Sequence, residues 1–385
     1  MMPQKFLQIL IIFSLGLLSH NISIAAKPVV TINITTNHNK WDVKAGEMTS
    51  FIISVSDSNN LPVKDVRVIY EIGPEMIKPF IKDSANVISS KFITGSYTLY
   101  NPGFLRCTAS VTFKGIVYKK IHTVGYDVEK ISPTVSDPVD FDSFWNQSKQ
   151  ELAKIPIDAR MTLLPQKGTA TVEVYQVSIG NIDNSRIYGM LAVPKKAGKY
   201  PAVLQVPGAG VRPYNPDVAL AEKGVIVFTI GIHGIPVNLD SEVYDNLRSG
   251  ALKGYFYYNL QSRDKFYYKR VYLGCIRSID LLFTVENFDK KNLAVTGASQ
   301  GGALSIITSA LDSRVTSLVS FHPALSDLTG YIYNRAGGWP HIFAGENFIS
   351  YYSNDNVQNL AYYDVVNFAK RVKVPGFYSW GYNDV

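Results

Sequence analysis

Short segments in which apolar and polar residues alternate occupy the chain between Val29 and about Tyr126. Turn sequences such as KAGE, SDSNNLP and NPG separate these segments, and no helical periodicity interrupts them. Alternation with a period of two residues is the pattern of strands that bury one face of a sheet. The pattern predicts a small antiparallel β-sandwich of immunoglobulin-like type over residues 27–130.

The hydrophobic pattern changes after a stretch rich in Pro, Ser and Asp, which marks a linker and lead-in segment at residues 131–145. Beyond it, TVEVYQVSI and IYGMLAVP resemble a pair of strands, and further apolar strand-like runs without polar alternation follow, joined by helix-like segments. Buried strands that alternate with helices predict an α/β domain over residues 146–385, with a mostly parallel sheet and helices on both faces. In such sheets the chemistry lies at the carboxyl ends of the strands.

The first 26 residues have the pattern of a secretory signal peptide. Lys5 precedes an apolar stretch, Phe6–Leu18, and the small residues Ser23 and Ala25 follow it. The apolar stretch is too short to cross a bilayer comfortably, and its flanks are those of a cleaved signal. We expect residues 1–26 to be removed and the mature protein to be secreted or periplasmic, without membrane attachment. The alternative is a retained membrane anchor.

The composition indicates a large folded core and no nucleic-acid partner. Of the 385 residues, 46% are hydrophobic and 18% are charged, which is the balance of a folded globular protein. The formal net charge of +7 is spread along the chain without a long basic run, so it indicates solubilising surface. The two cysteines, Cys107 and Cys275, fall in different predicted domains, so we expect no disulfide framework.

The strongest chemical signal is VTGASQGG at residues 295–302, where Ser299 is the centre of a Gly-x-Ser-x-Gly pattern. An apolar strand leads into this pattern and a helix leaves it, which is the context of a nucleophile elbow. The glycines allow close approach of backbone and helix while Ser299 takes a strained conformation and presents its hydroxyl. We therefore predict Ser299 as a catalytic nucleophile. The alternative is a Gly-rich turn with an incidental serine.

Acyl transfer at Ser299 also needs donors for a developing oxyanion. One donor is expected to be the backbone N–H of Gln300, directly after the nucleophile. The other is expected in the loop VPGAGVRP, where Gly208 and Gly210 let the backbone turn its amides inward and Ala209 is the candidate donor. The alternative reading of PGAG is a tight turn.

A catalytic triad of this kind runs serine, then acid, then histidine along the chain. Asp384 follows the last predicted strand and is the predicted acid, with Asp327 and Asp364 as rivals; Asp364 is expected to start a helix. The six histidines of this sequence all precede Asp384. His233 and His322 follow predicted strands and are expected to line the pocket. We therefore expect the base beyond residue 385, a truncated hydrolase domain and a nearly inactive fragment.

Four stretches together resemble the acetyl xylan esterase and cephalosporin-C deacetylase family of α/β-hydrolases. They are DPVDFDSFWNQSKQEL, RIYGMLAVPKKAGKYPAVLQVPGAG, YYKRVYLGCIRSIDLL, and VTGASQGG with the later GYND. The resemblance covers about residues 137–385 and implies an α/β-hydrolase fold, carbohydrate O-acetyl esters as substrates, and neither cofactor nor metal. It gives Ser299, Asp384, Ala209 and Gln300 the roles stated above. The sandwich resembles the extension of secreted Bacteroidetes-type members.

One departure from the family is clear. Where the family often has Arg-Gly-Gln-Gly after its fourth strand, this chain has GIHGIPVN, which affects substrate and oligomer contacts. The sequence thus predicts a secreted serine carboxylesterase that removes acetyl groups from plant polysaccharides or oligosaccharides. One alternative is a serine peptidase of the prolyl-oligopeptidase type. Another is an inactive hydrolase fold that binds carbohydrate, for which the aromatic stretch GYFYYNLQSRDKFYYKRVY would supply stacking surfaces.

Overall fold

The computed structural model describes residues 29–88 and 90–384, and the predicted signal peptide lies outside these residues. The strands are β1 Val30–Thr36, β2 Asp42–Val43, β3 Thr49–Asp57, β4 Val66–Pro74, β5 Ile81–Val87, β6 Phe92–Tyr97, β7 Gly103–Phe113, β8 Ile116–Tyr126, β9 Arg160–Leu163, β10 Val172–Gly180, β11 Arg186–Pro194, β12 Tyr200–Gln205, β13 Ile226–Gly231, β14 Phe288–Ala298, β15 Ser317–Phe321 and β16 Gly376–Ser379.

The α-helices are α1 Phe141–Ala153, α2 Val218–Ala221, α3 Ser241–Ser249, α4 Tyr267–Thr284, α5 Gln300–Leu311, α6 Glu346–Tyr351, α7 Asn354–Ala361 and α8 Val365–Ala369. Short 3₁₀ turns span Val128–Lys130, Pro165–Lys167, Tyr255–Tyr257 and Gly330–Tyr333. No helix in the described part of the chain is both long and apolar enough to cross a membrane.

The first eight strands form two sheets that face each other. One sheet has the order β1-β3-β6 and the other β2-β8-β7-β4-β5. Their inner faces share one hydrophobic core, in which Phe51 and Ile53 of one sheet and Val68 and Leu105 of the other are buried. The predicted sandwich is therefore present, while its immunoglobulin-like classification stays a prediction.

The sequence of β5, IKDSANV, lacks the alternation of apolar and polar residues that predicts the other strands of the sandwich. Its residues are largely polar, and Val87 is the one fully buried position in its burial pattern. It pairs antiparallel with β4 at the edge of the sheet, where the backbone ladder rather than a buried face holds the strand. A strand of that kind has no hydrophobic alternation for a sequence pattern to reveal.

The remaining strands form one mixed sheet of eight, in the order β16-β15-β14-β12-β13-β11-β10-β9. Strands β13, β12, β14, β15 and β16 run parallel, whereas β9, β10 and β11 join them through antiparallel ladders. The prediction of a paired β10 and β11 is confirmed. The parallel part places the ends of β12, β14, β15 and β16 along one edge, where the candidate residues lie.

Helices α4 and α5 consist largely of apolar residues and are therefore buried. Tyr268, Tyr272 and Ile276 share one face of α4 and are all buried, so the aromatic stretch before the elbow belongs largely to the core. Helix α5 is buried at almost every position and packs on the sheet directly after the nucleophile. Cys107 and Cys275 are both buried as free thiols.

The linker is fastened to the α/β domain. Asp327 accepts hydrogen bonds from the amide of Thr134 at 2.7 Å and from its hydroxyl at 2.8 Å. The Arg335 guanidinium donates to the carbonyl oxygen of Ser132 at 2.7 Å. Helix α1 begins at Phe141, so the predicted lead-in segment already contains the first turn of the domain. The linker therefore lies against the loop that follows β15.

Candidate active site

Ser299 occupies the sharp turn between β14 and α5. Its backbone dihedrals are φ 57° and ψ −122°, a combination that is strained for a residue with a side chain. Ser299 is the N-cap residue of α5, a position where serine usually accepts a hydrogen bond from the first helical turn. Here its side chain makes no capping hydrogen bond. The hydroxyl of this half-buried serine is therefore not committed to holding the helix.

The glycines on either side of Ser299 are required by close approach of backbone. A Cβ atom on Gly297 would lie 2.6 Å from the backbone of Gly301 and from the carbonyl oxygen of Val206. A Cβ atom on Gly301 would lie 2.5 Å from the same Val206 oxygen. Moving these backbone atoms away would cost too much free energy, so only glycine fits at both positions. The Gly-x-Ser-x-Gly pattern thus has a structural reason on each side of the serine.

The loop after β15 runs beside this turn. The Ser299 amide donates to the carbonyl of Phe321 at 3.0 Å, and the amide of Ala324 donates to the Ser299 carbonyl at 3.1 Å. His322 lies between these contacts, is exposed, and has φ 34°. Its amide donates to the carbonyl of Ser379 at the end of β16. The structure thus brings His322 to the rim beside the elbow, and its role as a pocket-lining residue stays a prediction.

The predicted oxyanion loop packs directly against the elbow. The Gln300 side-chain Nε2 donates to the carbonyl of Pro207 at 3.3 Å. A Cβ atom on Gly208 would lie 3.2 Å from the carbonyl oxygen of Ala298. The loop that follows β12 is therefore held within contact distance of the first residue of α5.

Two backbone amides at this junction are suited to an oxyanion. The Gln300 amide belongs to the first turn of α5, where N–H groups have no intrahelical acceptor and the helix dipole favours negative charge. Among the residues that the structure describes, no backbone hydrogen bond uses the amide of Gln300 or of Ala209. Gly210 follows with φ 123°, which turns the loop in a way that a side chain disfavours. Their joint use as an oxyanion hole stays a prediction.

The Gln300 side chain joins the elbow to a group of buried tyrosines. Its Oε1 accepts hydrogen bonds from the hydroxyls of Tyr255 at 2.7 Å and Tyr268 at 2.9 Å. The Gly210 amide donates in turn to the Tyr255 hydroxyl at 3.4 Å. All three side chains are almost completely buried. The side chain of Gln300 therefore holds the predicted oxyanion loop, and its backbone amide is the predicted donor.

His233 supports the other end of that loop. Its Nε2 lies 3.0 Å from the Gly210 carbonyl and its Nδ1 lies 2.7 Å from the Tyr267 hydroxyl. A carbonyl can only accept, so Nε2 carries the proton and Nδ1 accepts from Tyr267. Burial lowers the pKa of His233 to about 4, helped by the positive charge of Arg270 and opposed by the hydrogen bond to Gly210. Both ring nitrogens are thus occupied in holding the loop.

Asp384 lies where the chain returns to the sandwich. The Tyr382 ring stacks on Trp41, with ring centroids 4.2 Å apart, and packs against Phe104. The Arg106 guanidinium donates to the backbone carbonyls of Tyr382 at 3.2 Å and Asp384 at 2.9 Å. Side chains of the sandwich domain therefore bind the segment that carries the predicted acid. The assignment of Asp384 rests on chain order and stays a prediction.

The two rival carboxylates are engaged elsewhere. Asp364 caps α8, as predicted, because its carboxylate accepts a hydrogen bond from the Val366 amide at 2.9 Å. The same carboxylate accepts hydrogen bonds from the amides of Asp327 and Leu328. Burial raises the pKa of Asp364 to about 7 although these amides lower it. Asp327 holds the linker through Thr134. The carboxylates of Asp327 and Asp364 are thus both used in hydrogen bonds that stabilise the fold.

The sequence did not reveal the second role of Gln300 or the tyrosines that hold it. Tyr255 and Tyr268 lie 45 and 32 residues before Gln300 in the chain. Their only sequence signal was an aromatic stretch before the elbow, which is equally typical of a hydrophobic core. The strand order, the strained serine at the end of β14 and the helix that follows it define an α/β-hydrolase fold.

Comparison with known proteins identifies the family within that class. A model of the acetyl xylan esterase (AXE1) family matches residues 126–385. The acetyl esterase Axe7A of Xylanibacter ruminicola is 37% identical over 353 residues, which are 90% of this chain and 79% of that protein. The chain belongs to the acetyl xylan esterase family.

Two solved structures share the fold. The acetyl xylan esterase from Paenibacillus sp. R4 superposes with a TM-score of 0.55 at 25% sequence identity, over 64% of this chain and 80% of that chain. Acetyl xylan esterase 1 from Thermoanaerobacterium sp. JW/SL YS485 gives a TM-score of 0.55 at 22% identity, over 64% of this chain and 79% of that chain. Both similarities are consistent with the mixed sheet and the flanking helices described above.

Proposed function

We propose that this protein is a serine carboxylesterase that removes acetyl groups from O-acetylated plant polysaccharides or their oligosaccharides. The observation that carries the proposal is the geometry of Ser299. A strained serine with an uncommitted hydroxyl stands at the start of a buried helix, and the loop of Ala209 is fastened against the same helix start. This arrangement supports Ser299 as the nucleophile and the amides of Ala209 and Gln300 as the oxyanion donors of the proposal.

The reaction proceeds in two halves. The Ser299 oxygen bonds to the acetyl carbonyl carbon while its proton passes to a histidine base. The carbonyl oxygen becomes an oxyanion that accepts hydrogen bonds from the amides of Ala209 and Gln300. The bond to the sugar oxygen then breaks, and the histidine returns the proton to that oxygen. Water attacks the acetyl-serine by the same route, which releases acetate and restores Ser299.

The remaining members of the triad follow from chain order. On this fold the acid follows the nucleophile and the histidine follows the acid. Asp384 comes after β16, two strands beyond the nucleophile strand β14, and its carboxylate would orient the imidazole and stabilise its protonated form. His233 has both ring nitrogens occupied by Gly210 and Tyr267, so the proposal gives it a supporting role instead.

The choice of an acetyl ester over a peptide rests on the relatives. The acetyl esterase of Xylanibacter ruminicola and the two acetyl xylan esterases all carry that activity in their names. A peptidase of the prolyl-oligopeptidase type places a long propeller before the hydrolase domain, whereas this chain has a sandwich of two small sheets. The family membership therefore favours esterase over peptidase and over a binding protein without activity.

The proposal includes export of the protein to the periplasm or out of the cell, where it would contact polysaccharides or oligosaccharides from plants. The apolar stretch Phe6–Leu18 behind Lys5 motivates it. Cell fractionation with N-terminal sequencing of the mature protein tests it. A mature chain that begins near Lys27 supports the proposal, and a cytoplasmic protein with its first residues intact contradicts it.

The activity is tested by incubating the complete protein with acetylated xylan, an aryl acetate and a proline-containing peptide. We expect acetate from the first two substrates and no cleavage of the peptide. Ser299→Ala should abolish both esterase activities, by about 10⁴-fold or more, because no second nucleophile is available. Ser143→Ala, an exposed serine in α1, is the matched control and should keep full activity. Peptide cleavage without acetate release would contradict the proposal.

A further inference from the structure

A large cleft lies between the sandwich and the α/β domain. Its volume is about 830 Å³, within the range of roughly 300–1,000 Å³ that is common for ligand sites. Two loops of the sandwich, between β4 and β5 and between β6 and β7, form one wall. Residues 333–336, in the loop after β15, form the opposite wall, and residues 130–134 of the linker also line the cleft.

Each wall presents the same pair of side chains. Tyr100 and Asn101 lie on the sandwich wall, and Tyr333 and Asn334 lie on the opposite wall. Tyr100 is 81% exposed and Tyr333 is 63% exposed, although both line a concave surface. Ligand pockets are commonly lined by aromatic side chains, and exposed rings on both walls leave their faces available to a ligand. A ring face offers apolar contact, and the neighbouring side-chain amide offers two N–H donors and one carbonyl oxygen that accepts.

The charges of the cleft are neutralised within the protein. Glu75 pairs with Arg106 of the sandwich, and Lys130 pairs with Asp127. Asp327 and Arg335, the remaining charged lining residues, pair with each other. A cleft whose charges are already paired has no excess charge for an anionic or cationic ligand. It suits a neutral ligand that combines apolar faces with many hydroxyl groups.

Contacts within the protein hold the two walls of the cleft in place. The Glu75 amide donates to the Phe104 carbonyl at 2.9 Å, which extends the ladder between β4 and β7 to the start of the β4–β5 loop. The Tyr331 hydroxyl lies 3.9 Å from the sulfur of Met76 and connects the walls across the domains. Asp327 and Arg335 also contact the linker, so the opposite wall, the linker and the sandwich are tied to one another. A fixed shape lowers the entropy cost of binding.

One loop, which follows β15, contacts the elbow and also lines the cleft. The Ala324 amide is bonded to the Ser299 carbonyl, and Asp327, three residues later, already lines the cleft. A polymer that places one acetyl group at Ser299 has neighbouring sugars to accommodate, and this loop leads from Ser299 to the cleft. Pyranose rings present apolar C–H faces and equatorial hydroxyls, which match the Tyr and Asn pairs.

We propose that this cleft binds the unacetylated main-chain sugars that neighbour the acetylated sugar of the polysaccharide. The inference rests on the proposed function for the identity of the polymer. It gives the sandwich domain a share in substrate binding through Tyr100. It also makes a neutral β-linked pyranose chain, rather than a charged polymer, the expected occupant.

Calorimetry with xylohexaose tests the cleft without any turnover. The complete protein carrying Ser299→Ala should bind this unacetylated oligosaccharide, and adding Tyr100→Ala or Tyr333→Ala should weaken the binding by about three- to tenfold each. Tyr352→Ala is the matched control, since Tyr352 is 45% exposed and lies outside the cleft lining. Equal affinity in all variants, or no binding by the parent protein, overturns the inference.

Kinetics separate a failure of the cleft from a failure of the proposed function. In protein with Ser299 intact, kcat/KM on acetylated xylan should fall more than kcat/KM on an aryl acetate when Tyr100 or Tyr333 is replaced by alanine. An equal fall on both substrates overturns the inference while the esterase assignment stands. A parent protein that hydrolyses neither substrate refutes the proposed function, and the calorimetry still decides on the cleft.

Discussion

Replacing Gln300 by leucine tests whether one side chain holds the oxyanion loop against the elbow. Leucine keeps most of the volume but removes the hydrogen bonds to Tyr255, Tyr268 and the Pro207 carbonyl. The backbone amide of residue 300 remains. A loss of activity in folded protein therefore reports the position of the loop and not the loss of the amide predicted as the first oxyanion donor.

The magnitude follows from the contacts. Three buried hydrogen bonds at about 1 kcal/mol each give a loss of about 3 kcal/mol of unfolding free energy. For a domain of this size that loss lowers Tm by roughly 6–12 °C. If the loop shifts so that the Ala209 amide no longer meets the oxyanion, kcat falls by about 10- to 100-fold. Complete loss of a donor costs about 10²–10³-fold, which sets the upper bound.

The assay combines thermal unfolding with kcat and KM on an aryl acetate. Gln147→Leu is the matched control, because Gln147 is exposed on α1 and should change stability by less than about 0.5 kcal/mol. Gln300→Glu keeps both acceptor positions for the tyrosine hydroxyls but cannot donate to Pro207, so it should also lower kcat. A Gln300→Leu protein with the Tm and kcat of the parent would refute the role assigned to this side chain.

Three further outcomes follow from the site. Gly301→Ala should destabilise the fold by about 3 kcal/mol, because its Cβ would lie 2.5 Å from the Val206 carbonyl oxygen; denaturant unfolding measures this. His233→Leu should flatten the pH dependence of stability between pH 6.5 and 4. In the folded protein the pKa of His233 is lowered to about 4, so the unfolded chain binds the proton at a higher pH than the folded chain does. The unfolding free energy of the parent protein therefore falls by about 3 kcal/mol as the pH decreases from 6.5 to 4. Asp384→Asn should lower kcat on an aryl acetate by about 10⁴-fold with little change in Tm.

Each of these outcomes has a control and a contradiction. Gly95→Ala, whose Cβ would lie no closer than 3.4 Å to any other residue, should leave stability nearly unchanged. Parallel pH–stability curves for the parent and His233→Leu would show that the histidine is not buried in its neutral form. An Asp384→Asn protein with more than about a tenth of the parent kcat would remove Asp384 from the triad, and Asp327→Asn would then be the next variant to assay.

The parts of the fold that follow from local patterns could be predicted from the sequence. Strands such as β3 bury alternate residues, so their period is visible in the chain. The elbow was visible because Gly297 and Gly301 leave no room for a Cβ atom, which fixes the residue type at each position. The edge strand β5 was not visible because its ladder with β4, rather than a buried face, holds it.

The parts that depend on distant residues could not be predicted. Nothing near Gln300 in the sequence shows that two tyrosines from other elements will donate to its side chain. The same holds for Arg106, which reaches the carbonyls of Tyr382 and Asp384 across 276 and 278 residues. Such contacts follow from the way the domains pack. Local sequence patterns carry no information about them.

The central claim is that Ser299 is the nucleophile. Labelling of the complete protein with a fluorophosphonate, followed by peptide mapping by mass spectrometry, tests it most directly, because such reagents modify serines that are activated as nucleophiles. The account predicts a single modified peptide carrying the label on Ser299, loss of esterase activity in proportion to labelling, and no labelling of Ser299→Ala. Esterase activity that survives complete labelling, or a label on another residue of the active protein, would contradict it.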